Sequence, residues 1–464
     1  MKLDQGAVRA AAKSVDKWLA YQSLLRRIPG LSIGIVFEGE LTLRTGYGYA
    51  DLRRRIPADG DTRYRIASIS KLFTAVATLQ LAERGDLRLG DRVVRYLPWF
   101  SGRPGLDRVS VRDLLTHRSG VARDGRTPHW ATARFPKRPR MEGDARSGSP
   151  IFPPSRKFKY SNLGFALLGE VVEAAAGQPY EAVIRKQIRR PLSMTSTTVD
   201  LPASGVGVAL GYGRMEIAQV RRQFDQVPTQ AYAPATGFTS NVPDLGRLID
   251  ALTNGKHDLL ADRSLRMLRR PSYFEADNQY GYGVGTQIWR MKGRRLFGHT
   301  GGFIGFSSRV VMDPASRLGV VLLSNCQDSA LTTFTSSVWS TIGFFSKNQR
   351  RLHRGRAVDF RPFEGRYSNR SGEIEFISVR NRLVGVPLDT DRPADELMIL
   401  EHDRRSEFRI TTADPHSFEG ERVKFVGPAG SHATRVYIGP SPHRFEGSLP
   451  RSRLRIRAGS VRHV

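Results

Sequence analysis

Cysteine is nearly absent: the 464 residues contain one, Cys326. That excludes an intrachain disulfide and any zinc site built on several thiolates. Long apolar runs are missing too. The stretch Gly319-Val-Val-Leu-Leu-Ser324 is among the longest, far below the ~20 residues of a membrane span. The N-terminus runs from Met1-Lys-Leu-Asp-Gln-Gly6 into Arg9, Lys13, Asp16 and Lys17, without the apolar core of a signal peptide. The expected compartment is therefore the cytoplasm, with the periplasm or the exterior left open if the N-terminus was trimmed. Acidic residues are scarce, 44 against 73 basic ones, for a formal net charge of +29. Such a surface attracts nucleic acid, anionic lipid or acidic polymers. Arginine is spread along the whole chain, however, and no basic stretch is interleaved with stacking aromatics, which disfavours nucleic acid as the main partner. The ten histidines include no His-Glu-x-x-His pair, and no glycine-rich phosphate loop or dinucleotide fingerprint occurs. Neither a metal nor an organic cofactor is expected.

What is present is globular: 39% apolar and 25% charged residues, in a length that suits two or three domains. Residues 7–27 carry apolar side chains at helical spacing. Strands follow at 31–38 and 41–49 around the tight Glu38-Gly39-Glu40 turn. Residues 68–84 read as a helix closed by Gly85, and 162–176, 180–189 and 245–252 as further helices. Between them, residues 121–156 are rich in Arg, Pro, Gly and Ser, hold no period, and read as an extended surface loop, a candidate lid. Strands at 283–291, 294–298, 305–312 and 319–324 and a helix at 332–345 complete an α+β domain over residues 1–348, an antiparallel sheet flanked by helices. A basic linker is expected at 349–357. From 358 to 464 the period changes to two. About six short strands (363–367, 374–379, 383–386, 408–411, 423–426, 434–438) and a basic-faced one at 451–457 predict a small all-β barrel. It holds no nucleophile or base of its own and is expected to govern substrate access or assembly.

Two Ser-x-x-Lys sequences occur. Ser14-Val-Asp-Lys17 falls on what reads as the solvated side of the first helix. Ser68-Ile-Ser-Lys71 follows the strand-like Tyr64–Ala67 and opens an apolar helix, so Ser68 lies at a helix N-terminus, where free N–H groups favour negative charge. Lys71 is one turn on and on the same face. A desolvated lysine there can lose its proton and act as base toward the serine. Tyr160-Ser-Asn162 precedes another helix; its phenol can relay a proton and its amide can hold both a carbonyl and the lysine. His299-Thr-Gly-Gly302 lies between two strands, where an edge can present backbone N–H groups. Gly30-Leu-Ser-Ile-Gly34 matches a Gly-x-Ser-x-Gly elbow, but a strand continues through it where that elbow needs a helix, so Ser32 is a strand residue.

The order Ser-x-x-Lys, Tyr-x-Asn, His-Thr-Gly, separated by roughly 90 and 140 residues, resembles the serine β-lactamase and penicillin-recognising hydrolase superfamily. The nearer resemblance is to class C β-lactamases, D-aminopeptidases and related esterases. It extends to Leu114-Leu-Thr-His-Arg-Ser-Gly120, Lys159–Gly169, Pro191-Leu-Ser-Met194 and Gly298–Phe306, and covers roughly residues 15–345. The tail from Phe363-Glu-Gly-Arg-Tyr367 is similar to the lipocalin-like β-domain appended to some of these hydrolases. The resemblance implies Ser68 as acylated nucleophile, Lys71 as its base, Tyr160 as proton shuttle, and Asn162, His299, Thr300 and Gly301 as substrate-binding residues. The N–H groups of Ser68 and Gly302 would form the oxyanion hole. His299 stands where the family usually has a lysine, which weakens recognition of a carboxylate and favours a neutral ester or amide. The expected function is thus a serine hydrolase acting on an ester or amide (peptide) bond of a small molecule or peptide. A β-lactamase or D-Ala-D-Ala carboxypeptidase is the alternative, and a non-catalytic scaffold with a basic surface is the alternative of another class. A homo-oligomer is left open.

Overall fold

The computed structural model describes residues 3–102, 105–148, 150–202, 207–254, 258–277, 279–291, 293–355, 358–412, 418–428, 431–447, 449 and 455–457. The chain divides into two compact units, Pro29–Ser329 with Leu454–Val464, and Met1–Ile28 with Ala330–Arg453. This division differs from a cut at 348, because the first and last helices of the expected α+β domain group with the barrel.

The larger unit is built on a nine-stranded antiparallel sheet. From one edge it runs Ile56–Pro57, Glu40–Asp51, Gly30–Phe37, Leu318–Ser324, Phe306–Asp313, Arg294–Phe303, Gln287–Met291, Tyr280–Tyr282, Tyr273–Phe274. The first hairpin turns on Glu38 and Gly39, with φ of 50° and 87°, the left-handed pair that suits the twist of adjoining strands. Strand Gly30–Phe37 is buried along its whole length, with Ser32 bonded to the Asp59 carbonyl and the Tyr64 hydroxyl. Helix Val242–Asn254 buries Val242, Leu245, Leu248, Ile249 and Leu252, a 3.6-period stripe that packs on Gly30–Phe37 and Leu318–Ser324. Helices Ser70–Arg84 and Asn162–Ala176 pack together in the core of the unit. The glycines closing them, Gly85 and Gly177, adopt φ of 83° and 61°, as helix C-termini favour.

Residues 121–156 are not an extended surface loop. They hold short helices at His129–Thr132 and Arg138–Ser147 and bury His129, Phe135, Met141 and Ala145. Their apolar anchors are too irregularly spaced to show a period, while prolines at 128 and 139 serve as helix starts. Of the expected strand 283–291 only Gln287–Met291 is formed, preceded by a separate short strand, Tyr280–Tyr282.

The smaller unit contains a closed eight-stranded barrel whose strands pair in sequence order, from Gly365–Asn369 to Ser441–Phe445. Its interior is filled by Phe360, Tyr367, Phe376, Phe408 and Phe425, among others. Two of the strands carry no alternation to betray them. Met398–Arg404 ends in Glu-His-Asp-Arg, and Ser441–Phe445 contains Pro442 and His443. Helices Gln5–Leu25 and Leu331–Lys347 belong here: Trp18 meets Phe334 edge-on at 5.5 Å and donates to the Thr390 carbonyl at 2.8 Å. Ser14 is buried, against expectation, and Lys17 pairs with Glu375 at 3.1 Å. Part of the expected linker is helical, Gln349–His353. Of the basic strand expected at 451–457, residues 451–454 lie outside the described residues. Arg455–Arg457 pairs in parallel with Val220–Phe224 of the larger unit. Among the described residues no helix is long and apolar enough to cross a membrane.

Candidate active site

Ser68 sits in a 3₁₀ turn, Ala67–Ile69, that runs directly into helix Ser70–Arg84. Ala67 holds φ at 51°, a left-handed conformation that an alanine adopts only at a cost in energy. The turn is locked by Ser70, whose hydroxyl donates to the Ala67 carbonyl at 2.6 Å and accepts from the Phe238 N–H at 3.0 Å. Lys71, in the first helical turn, is fully buried. Its amine lies 3.1 Å from Ser68 Oγ, 2.9 Å from Asn162 Oδ1 and 2.7 Å from the Ala235 carbonyl. Tyr160 donates its hydroxyl to Ser68 Oγ at 2.9 Å.

The electrostatics separate the two candidate proton carriers. Burial drives the Lys71 amine well below the ordinary lysine range; nearby Asp124 opposes this and Arg123 adds to it. Burial also pushes the Tyr160 phenol above its usual range, with the Ser68 hydrogen bond and Arg123 pulling the other way. A neutral amine and a protonated phenol are therefore the favoured pair near neutral pH: the first can take a proton, the second can give one.

His299 is not in a loop between strands. It lies within strand Arg294–Phe303, which is interior to the sheet. The edge nevertheless exists locally. The neighbouring strand stops pairing at Gly298, opposite Gln287, so beyond it Thr300 turns its N–H and hydroxyl to the Gln287 side-chain oxygen, at 2.8 and 2.9 Å. N–H groups two apart on a strand point the same way. Gly302 N–H therefore faces the same side, toward the cavity that Gly302 lines. The strand passes close to the turn that carries Ser68, with Ser308 of the adjoining strand donating to the Ile66 carbonyl at 2.7 Å and Gly301 packed against that same carbonyl.

His299 itself is buried and does not line the cavity. Its ring nitrogens meet the Tyr282 hydroxyl at 3.3 Å and the Thr300 carbonyl at 2.6 Å. Burial, with Lys71 adding to it, lowers its pKa to about 3. The ring is therefore uncharged near neutral pH.

The cavity has a volume of about 630 Å³ and is bordered by Ser68, Tyr160, Asn162, Thr300 and Gly302. Sequence reasoning missed its other walls: Arg123, Trp130, Phe158, Tyr280 and Gln287. It also missed His117, whose buried ring accepts the Ser161 N–H at 3.1 Å and lies 4.2 Å from the Tyr160 ring. His117 lies in the Leu114–Gly120 stretch that carried part of the resemblance; the others had no local signal.

An antiparallel sheet with a Ser-x-x-Lys turn, a Tyr-x-Asn helix start and a third motif on the facing strand defines the penicillin-recognising class of folds. The Beta-lactamase family model matches residues 15–334, and the chain belongs to that family. It is 29% identical over 325 residues to Protein flp of Staphylococcus aureus (strain N315), which covers 68% of this chain and 63% of that protein. It is 26% identical over 353 residues to a D-aminopeptidase of Cereibacter sphaeroides, covering 71% and 63%. The chain thus spans about 63% of the length of these curated relatives. Among solved structures, the octameric penicillin-binding protein homologue from Pyrococcus abyssi aligns with a TM-score of 0.64 at 22% identity, over 94% of this chain and 98% of that one.

Proposed function

We propose that the chain is a serine hydrolase that breaks an ester or amide (peptide) bond through an acyl-enzyme on Ser68. The observation that carries this reading is the placement of Ser68 Oγ between a buried amine at 3.1 Å and a phenol at 2.9 Å. A neutral Lys71 has two N–H bonds and one lone pair. The Asn162 and Ala235 oxygens take the two N–H bonds, which leaves the lone pair for the Ser68 hydroxyl proton.

As Ser68 Oγ attacks the substrate carbonyl, its proton passes to Lys71. The developing oxyanion accepts from the Ser68 and Gly302 N–H groups, each such donor lowering the barrier by about 3–4 kcal/mol. Tyr160 protonates the leaving group and recovers a proton from Lys71. Water then repeats the attack on the acyl-enzyme, with the proton path reversed. Thr300 and Asn162 border the scissile bond. His299, neutral and turned into the protein, supplies no charge for a substrate carboxylate, which favours an esterase or peptidase over a β-lactamase or D-Ala-D-Ala carboxypeptidase. The D-aminopeptidase relative is consistent with an amide or peptide bond, and the octameric relative with assembly of this chain into a homo-oligomer.

The test is labelling with a fluorophosphonate followed by peptide mapping. One adduct on Ser68, absent in Ser68→Ala, is expected; an adduct elsewhere, or unaltered turnover of an ester by Ser68→Ala, overturns the reading.

A further inference from the structure

The base needs its lone pair aimed at Ser68, and nothing in Lys71 itself guarantees that. Asn162 decides it. With its oxygen toward Lys71, the amide takes an N–H from the amine. With its NH2 group there instead, it competes with Ser68 for the lone pair. The two orientations fill almost the same volume, so packing alone does not choose between them.

Asp124 does. Asn162 Nδ2 donates to Asp124 Oδ1 at 3.0 Å, and an ionised carboxylate only accepts, so the NH2 must face Asp124 and the oxygen must face Lys71. The carboxylate is itself fixed. Trp130 donates its indole N–H to the same oxygen at 3.0 Å, and His129 Nε2 lies 3.5 Å away. Burial works against ionisation of Asp124, but the hydrogen bonds from Trp130 and Asn162 and the nearby His129 ring outweigh it and hold the carboxyl below its usual range. The main chain docks at the same place: the N–H groups of Asn162 and Leu163 donate to the Arg123 carbonyl at 2.7 and 3.1 Å, and Ser161 Oγ to the Ala122 carbonyl at 2.6 Å.

We infer that Asp124 is a positioning residue which, through the Asn162 amide, keeps the Lys71 lone pair directed at Ser68. The inference rests on the proposed roles of Ser68 and Lys71. It also gives the segment 121–156 a function in the base machinery in addition to forming a wall of the cavity. The groups facing Lys71 are Asp124 and Arg123 from that segment, His117, Tyr160 and His299; those facing Asp124 are Arg123, His129, Trp130, Asn162, Tyr160 and Tyr232.

Two variants separate orientation from charge. Asp124→Ala removes both and frees the amide to turn; kcat should fall about 10- to 100-fold, as for other small misplacements of reacting groups, with KM within about threefold of wild type because the substrate-facing walls remain. Asp124→Asn keeps an acceptor for Asn162, because the Trp130 N–H holds an oxygen at that position, but loses the negative charge that favours protonated Lys71. It should rescue most of kcat while moving the acidic limb of kcat/KM to lower pH. Rates are expressed per fluorophosphonate-reactive site, so misfolded molecules do not count. Wild-type kcat per site in Asp124→Ala, or a kcat in Asp124→Asn no higher than in Asp124→Ala, overturns the assignment. If wild-type protein is not labelled on Ser68, or Lys71→Ala is fully active, the hydrolase reading itself fails, and the role of Asp124 falls with it for that separate reason.

Discussion

Gly301 is a position at which a single methyl group should act directly on the candidate active site. A Cβ built there would lie inside contact distance of the Ile66 carbonyl and Ser308 Oγ, and 3.0 Å from Ala67 Cβ. The Ile66 carbonyl and Ala67 belong to the turn that carries Ser68, and neither is the flexible end of a side chain. To restore ordinary contacts of ~3.5 Å, strand Arg294–Phe303 and the turn must separate by roughly 1 Å. That separation changes the distance between the two proposed oxyanion donors, the N–H groups of Ser68 and Gly302. A displacement of that size is worth about a hundredfold in rate, and loss of one donor about 10²–10³ in kcat. The strain should also destabilise the fold by ~1–3 kcal/mol, the range for overpacked interiors. Gly302 is the control for stability: it is exposed, and a Cβ there meets nothing within 4 Å. The assay is kcat and KM on a chromogenic ester, with thermal melts by circular dichroism. Gly301→Ala should lose at least about fiftyfold in kcat and melt several degrees lower, while Gly302→Ala should melt with the wild type. Wild-type kcat in Gly301→Ala would falsify the proposed oxyanion geometry.

Lys71→Ala should lower kcat by about 10²–10⁴ with little change in KM, since it removes a group needed in the transition state. In the wild type, kcat/KM should rise with pH along one limb centred below the ordinary lysine range, the direction set by burial of the amine; a rate that falls with rising pH from 5 to 8 would exclude an amine base. His299 should make the larger unit acid-sensitive. Its folded pKa of about 3 lies below the ordinary 6.5, so the unfolded chain takes up the proton first and stability is lost as pH falls from 6.5 toward 3, by ~2 kcal/mol at pH 5. Urea melts at pH 7 and pH 5 should show this loss in the wild type and a shallower one in His299→Gln. Equal losses in both proteins would assign the sensitivity to other groups.

The parts of the fold that were legible in the sequence are those where one face is buried and the period is kept. Helix Asn162–Ala176 stands at its predicted bounds because Ser161 caps it and Gly177 stops it. The hairpin around Glu38 and Gly39 was equally plain. The period fails where burial is two-sided or irregular. His299 was read as lying outside a strand because the run Phe297-Gly-His-Thr-Gly-Gly-Phe303 has three glycines and no alternation, yet it continues strand Arg294–Phe303. The segment 121–156 was misread for a related reason: its Arg and Pro content is that of a loop, while its few apolar side chains are buried one at a time.

The same distinction runs through the site. Ser68 and Lys71 were singled out together because they lie one helical turn apart, which the structure shows as a 3.1 Å contact, and the chemistry proposed for them imposes that local spacing. Tyr160 and Asn162 share a helix start for a similar reason. Asp124, Trp130, His117 and Gln287 carry no such spacing. Each acts on a motif residue from elsewhere in the chain: Asp124 on Asn162, Trp130 on Asp124, His117 on the Ser161 N–H, Gln287 on the Thr300 N–H and hydroxyl. A group that holds another through one or two hydrogen bonds can come from any segment the fold brings near, and several residue types can do the work. Chemistry on the substrate restricts both identity and spacing; orientation of the chemical groups restricts only the final position of one or two atoms. The supporting residues therefore become visible once the sheet, the turn at Ala67 and the helix at Asn162 have fixed where those atoms must be.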